Sequence, residues 1–126
     1  MILHQTFAFA GNRSIVFSSF AADVCTALSL KQTKYPVMML TRNQEYSPQT
    51  RDLRQASREM GIRFASADHF HGVNLFADYM LSKGATFVDW IHNQLNLLVY
   101  TWEGPLDVSE VNQLIEMNVD GICYDK

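Results

Sequence analysis

Residues 13–20 read RSIVFSSF. A short apolar run with strand character, 14–18, passes straight into small hydroxyl residues and an aromatic. In open α/β sheets and in (β/α) barrels, the carboxyl end of a strand is where ligands bind. What stands at this first strand end therefore decides between the folds that the rest of the chain allows.

Further segments of strand character follow at 37–41, 73–76, 97–102 and 121–124. Several are continuous apolar runs rather than alternating ones, as expected of parallel strands covered on both faces. The strand starts are 23, 36, 24 and 24 residues apart, a cadence that leaves room for a helix in each interval and predicts repeated βα units. The longest interval holds RNQEYSPQTRD, a polar stretch with a proline that reads as a surface loop.

Helical patterns occupy the intervals. After Ala22, the residues Val24, Ala27 and Leu28 share a face, and the helix must stop before Pro36, which pushes its predecessor out of helical geometry. A helix over 57–69 would bury Met60, Phe64 and Ala67. Gly61 inside it costs about 1 kcal/mol relative to Ala, and Gly72 reads as its C-terminal stop. TFVDWIHNQL spaces Phe87, Val88, Ile91 and Leu95 helically. In DVSEVNQLIEMN, Asp107 and Glu110 have capping-box spacing, with Val111, Leu114 and Ile115 as the expected buried face. The opening ILHQTFAFAG reads as the tail of a helix stopped by Gly11, which suggests preceding structure.

With 126 residues, 48% hydrophobic and 18% charged, the chain can build one core. A net charge of −3 and a pI near 5.7 argue against nucleic acid as a partner. No apolar run approaches the roughly 20 residues of a membrane span. Cys25 and Cys123 are far apart and form no CxxC pattern. They read as small buried thiols in a reducing, cytoplasmic setting, and Cys25 has no basic neighbour in sequence to activate it.

Five parallel strands in this length fit a flavodoxin-like sheet, including phospho-acceptor receivers, or part of a (β/α)₈ barrel. Thr101 and Lys126 suit a receiver. Its first strand, however, must end in carboxylates that hold a hard cation, and here stand Ser18, Ser19 and Phe20.

RSIVFSSFAADVCTALSLKQTKYPVMMLT, then GIRFA, GVNLFADYML, LLVYTWE and VNQLIEMNVDGICYD, resembles the C-terminal part of the glycerophosphodiester phosphodiesterase family, in its eukaryotic glycerophosphocholine subgroup. The resemblance covers nearly the whole chain. It implies an α/β fold, a partial TIM barrel whose strands correspond to strands four to eight. Residues 1–126 would then be the C-terminal part of the domain, with the N-terminal part of the barrel absent.

It also implies hydrolysis of glycerophosphodiesters such as glycerophosphocholine to glycerol 3-phosphate and an alcohol, with a divalent metal, Mg or Ca, in the complete domain. The family's His-Arg, Glu-x-Asp and Glu-x-Lys motifs do not occur in this sequence. The resemblance therefore gives this chain no catalytic residue and no metal of its own. It implies a substrate-binding role for Trp102, Phe20 and Ser18 at the rim. Trp102 would offer an aromatic face to a glycerol moiety or, by cation–π attraction, to a choline cation. The family often has Trp-Thr-x-Asn at this place; here Glu103 follows Trp102 and would repel a phosphate unless it turns outward.

Blander roles compete for the same residues. Trp102 and Phe20 suit core packing. Ser18 and Ser19 suit capping of the following helix. His69 and His71, at i, i+2 spacing, suit a helix C-terminus better than a metal site with no further ligand nearby. Asp78 fits a pocket or a solvated loop, and Asp125 and Lys126 fit phosphate contact or a frayed end. A truncated barrel acting as a binding module would self-associate through its open edges.

Overall fold

The computed structural model describes residues 2–43, 49 and 51–125. Lys126 and most of the 44–50 stretch of the polar loop lie outside the described residues. In chain order the elements are α1 (Ile2–Phe9), β1 (Phe17–Ser19), α2 (Ala22–Lys31), β2 (Val37–Leu40), a 3₁₀ turn (Leu53–Gln55), α3 (Arg58–Ala67), β3 (Gly72–Phe76), α4 (Ala77–Lys83), α5 (Ala85–Leu95), β4 (Leu98–Glu103), α6 (Val108–Glu116) and β5 (Gly121–Tyr124).

All four strand pairings are parallel and the order is β1-β2-β3-β4-β5. Each strand lies beside its predecessor, whereas a flavodoxin-like sheet reverses its order after the first strand. The sheet curls into half of a barrel with helices outside. The fold class expected from the sequence is the one observed.

Alternation along the strands divides the sheet into two faces. Phe17, Val37, Met39, Val73, Leu75 and Val99 meet Ala22, Cys25, Leu28, Ile62, Ala65, Met80, Val88, Ile91 and Leu114 in one core. The other face is the concave one. Register stacks it in rows from the N-terminal to the C-terminal end: Ser18, Met38, Gly72 and Leu98, then Leu40, Asn74, Tyr100 and Gly121, then Phe76, Trp102 and Cys123.

Several local expectations need correction. The inward face of α2 is Ala22, Cys25 and Leu28; Val24 is 47% exposed. The inward face of α3 is Gly61, Ile62 and Ala65, not Met60, Phe64 and Ala67. Both helices approach the sheet through small residues and leave larger apolar side chains at the flanks. Gly61 shows why: a Cβ there would sit 2.9 Å from Thr41 Cγ2 at the end of β2. Its helix-propensity cost is the condition of that close approach.

Gly72 does not stop α3. It opens β3, where a Cβ would meet the Leu98 carbonyl oxygen at 2.5 Å. The stop is His69, in the left-handed region at φ 56°. β1 begins at Phe17, later than expected. The segment after β3 is not a loop but α4, with Asp78 exposed in its first turn. Ile115 on α6 is 60% exposed, and Leu114 and Met117 are the buried residues there.

Other signals hold. Asp107 and Glu110 form the capping box, with both bonds at 2.8 Å, an arrangement worth about 1 kcal/mol. Ser57 Oγ caps α3 by accepting the Met60 N–H. Gly11 has φ +56° directly after α1.

Candidate active-site rim

At the C-terminal mouth of the half-barrel, Trp102 sits between two phenylalanines. Its ring centre lies 5.5 Å from that of Phe20 and 5.1 Å from that of Phe76, with interplanar angles of 83° and 78°. Edge-to-face geometry of this kind is favoured by the ring quadrupoles. The indole Nε1–H reaches past β3 and donates to the Thr41 carbonyl at the end of β2, at 3.2 Å. Trp102 thus crosses the mouth from β4 to β2 and remains partly exposed.

The structure brings Trp102 and Phe20 together and adds Phe76, which the sequence reading left in a strand without a role. Alternation was the available signal: Phe76 and Trp102 are register partners and must share a face. Ser18 is not part of this cluster. It lies in the lowest row, four positions below Trp102 by register, and is exposed. Nor does it cap α2; the nearby hydroxyl that acts is Ser19 Oγ, which accepts the Ala21 N–H at 3.1 Å.

Glu103 is turned aside. Its Oε2 accepts the Asp78 N–H at 3.0 Å, so the carboxylate satisfies the N-terminus of α4, which has no cap from Phe76. Beyond Trp102 a shallow depression of about 430 Å³ is bordered by Glu103, Ile122, Cys123, Tyr124 and Asp125. Cys123 is exposed there, contrary to expectation, because β5 is an edge strand. Arg42, which follows β2, places its guanidinium carbon 5.6 Å from the Phe20 ring centre. It was missed because an arginine beside a polar loop reads as solvated surface.

The other titratable groups near the rim are committed to structure. Arg54 bridges Asp23 and Asp52 at 2.8 Å each. Its hydrogen bond holds the Asp52 carboxyl below the usual range. Burial pushes the Cys25 thiol up to about 11, and Cys25 Sγ lies 3.5 Å from the carbonyls of Ser19 and Met38. Such a thiol is inert at neutral pH. Among the described residues no three His, Cys, Asp or Glu side chains converge as a metal site would require. With Asp23 and Asp52 spent on Arg54 and Glu103 on α4, the described residues do not fit a divalent metal.

A parallel half-barrel with its aromatic cluster at the carboxyl ends of the strands defines the class: part of a (β/α) barrel of the kind that binds ligands at that face. The model of the glycerophosphoryl diester phosphodiesterase family matches residues 2–126, and the chain belongs to that family.

Similar curated proteins include the glycerophosphocholine phosphodiesterase of Homo sapiens, 31% identical over 100% of this chain and 19% of that protein. Another is the glycerophosphocholine phosphodiesterase of Schizosaccharomyces pombe, 34% identical over 93% of this chain and 10% of that protein. The chain therefore spans a fifth or less of these relatives' lengths. A solved structure of a candidate glycerophosphodiester phosphodiesterase from Galdieria sulphuraria superposes with a TM-score of 0.69 at 17% identity, over 98% of this chain and 44% of that one. It supports the fold alone.

Proposed function

We propose that this chain is the back half of a metal-dependent phosphodiesterase that hydrolyses glycerophosphodiesters such as glycerophosphocholine to glycerol 3-phosphate and an alcohol, a step of glycerophospholipid catabolism. β1 to β5 are assigned to strands four to eight of the barrel. The observation that carries the reading is the Phe20–Trp102–Phe76 cluster at the C-terminal mouth, in a chain that belongs to this family.

Water attack on a phosphodiester needs a cation to offset phosphoryl charge, a group to take the water's proton and a group to protonate the leaving alcohol. Among the described rim residues no three His, Cys, Asp or Glu side chains converge to hold such a cation. Their part is to wall the substrate pocket, with Trp102 and Phe20 packing against substrate. The metal ligands and the acid and base belong to the front of the barrel, so the 126-residue chain alone is inactive. The free state of both cysteines supports a cytoplasmic setting. No helix among the described residues is long and apolar enough to cross a membrane.

The test is glycerophosphocholine turnover by the whole native protein and by the purified 126-residue chain. Turnover by the first and none by the second is expected. Metal-dependent turnover that tracks the isolated chain through purification would refute the division of labour.

A second reading is a non-catalytic binding or dimerisation module. The observations in its favour are the pair of open edges, β1 and β5, and exposed apolar side chains elsewhere on the surface, such as Leu30 on α2 at 82% and Val108 on α6 at 78%. Open edges invite strand pairing. Monomeric sedimentation of the chain at high concentration would sink this version.

A further inference from the structure

Arg42 stands at the mouth of the half-barrel with its guanidinium against Phe20, and Phe20 packs on Trp102. The neighbouring arginines are engaged elsewhere. Arg54 holds Asp23 and Asp52. Arg58 lies 4.0 Å over the Tyr79 ring and donates to Asn43 Oδ1. Arg42 is exposed, and among the described residues no carboxylate pairs with it.

A guanidinium resting on a ring keeps N–H donors for an oxyanion, and its fork matches two phosphoryl oxygens. The same placement works against a second cation. A quaternary ammonium would seek an aromatic face, and at Phe20 the protein's own cation is already beside the ring. Like charges would then share one small wall.

We infer that Arg42 is a specificity-determining residue that receives the phosphoryl oxygens of the phosphodiester, while Phe20 and Trp102 pack on the uncharged glycerol carbons. The inference rests on the reading of the chain as a glycerophosphodiester phosphodiesterase. It places the phosphoryl group on the β2 side of the mouth, with the glycerol reaching from it over Phe20 and Trp102.

The test is Arg42→Gln in the whole protein. Its substrates are glycerophosphocholine and glycerophosphoglycerol, with glycerol 3-phosphate as competing ligand. Losing a charge-assisted contact should raise KM for both substrates and weaken glycerol 3-phosphate binding together, by about tenfold or more. KM should change more than kcat, the melting temperature should hold, and Arg42→Lys should restore part of the affinity. Unchanged KM and unchanged glycerol 3-phosphate affinity would overturn the inference. A fall in KM for glycerophosphocholine alone would overturn it too, because that places the choline cation on Phe20. If the unaltered protein hydrolyses neither substrate, the functional reading itself fails. Calorimetry of glycerol 3-phosphate with and without Arg42→Gln then still decides the anion contact.

Discussion

The two ends of the half-barrel invert what their residue types suggest. The N-terminal end carries His69, His71, His92, Asn96, Asn118 and Asp120 around a cleft of about 610 Å³, a set that resembles a place for chemistry. All but His92, which lies against the Asp120 side chain, are spent on the backbone. His69, Asn96 and Asn118 adopt left-handed φ after α3, α5 and α6, turning three helices back toward three strands. His71 Nδ1 accepts the Val37 N–H at 3.2 Å. Asp120 Oδ2 accepts the Val99 N–H and lies against His92 Nε2, each at 2.7 Å. The C-terminal end carries aromatic rings that resemble core, yet they stand partly exposed over the mouth beside the Arg42 guanidinium, which no carboxylate among the described residues pairs. Polarity alone is a poor guide to the site; position along a parallel strand is a better one.

The comparison can be broken by substitution at either end. The largest stability effect is expected from Trp102→Ala, which removes two ring contacts and the bond to Thr41. A loss of about 2–4 kcal/mol is expected, somewhat under the range for fully buried Trp. Trp90→Ala, on a ring 40% exposed and stacked on Phe87, should cost about 1 kcal/mol or less. Urea unfolding measures both, and equal losses would remove the special status of the rim ring.

Next comes Asp120→Ala at the opposite end. It leaves the Val99 N–H without its acceptor and should cost about 1–3 kcal/mol. Asp120→Asn, which retains an acceptor, should recover part of that. A change under a few tenths in denaturation would show that the N-terminal clamp does not hold the turn.

The thiols sharpen the contrast by rate rather than stability. At pH 8 Cys123, exposed at the edge strand, should react with a disulfide reagent at an ordinary rate, and Cys25, pushed up to about 11 by burial, should react only on unfolding. Mass spectrometry of the labelled peptides checks the order.

The smallest effect lies in acid. Arg54 holds Asp52 below the ordinary carboxyl value of 3.8, so the stability this carboxylate adds is complete above that value and is lost as pH falls through the lower folded one. The side chain is 31% exposed, which keeps the effect small. Asp52→Asn should flatten only the acid limb of a stability-against-pH curve.

Much of the architecture was legible because parallel strands announce themselves. Val37, Met38 and Met39 are a continuous apolar run, and all three are at most 1% exposed. The capping box of α6 was legible because it is a purely local contact. Helix faces were not, since Ala22, Gly61 and Ala65 make their approach to the sheet by being small, and hydrophobicity scales reward Val24 and Phe64 instead. α4 escaped notice because ADYML follows β3 without a break. Of the residues clustered at the mouth, Trp102 and Phe20 were named through the family resemblance, whereas Phe76 and Arg42 depended on register and on a ring contact between Phe20, after β1, and the end of β2. Such long-range pairings leave no periodic trace in the sequence.

The central claim is that substrate is walled at the aromatic mouth and that the opposite end only holds the fold. The direct measurement is kcat/KM for glycerophosphocholine per folded molecule of the whole protein, for Trp102→Ala beside Trp90→Ala and Asp120→Ala. The account predicts a fall of about tenfold or more for Trp102→Ala, the size of one lost substrate-wall contact, with the other two near the unaltered value once folded fraction is corrected. Equal values for all three would contradict it.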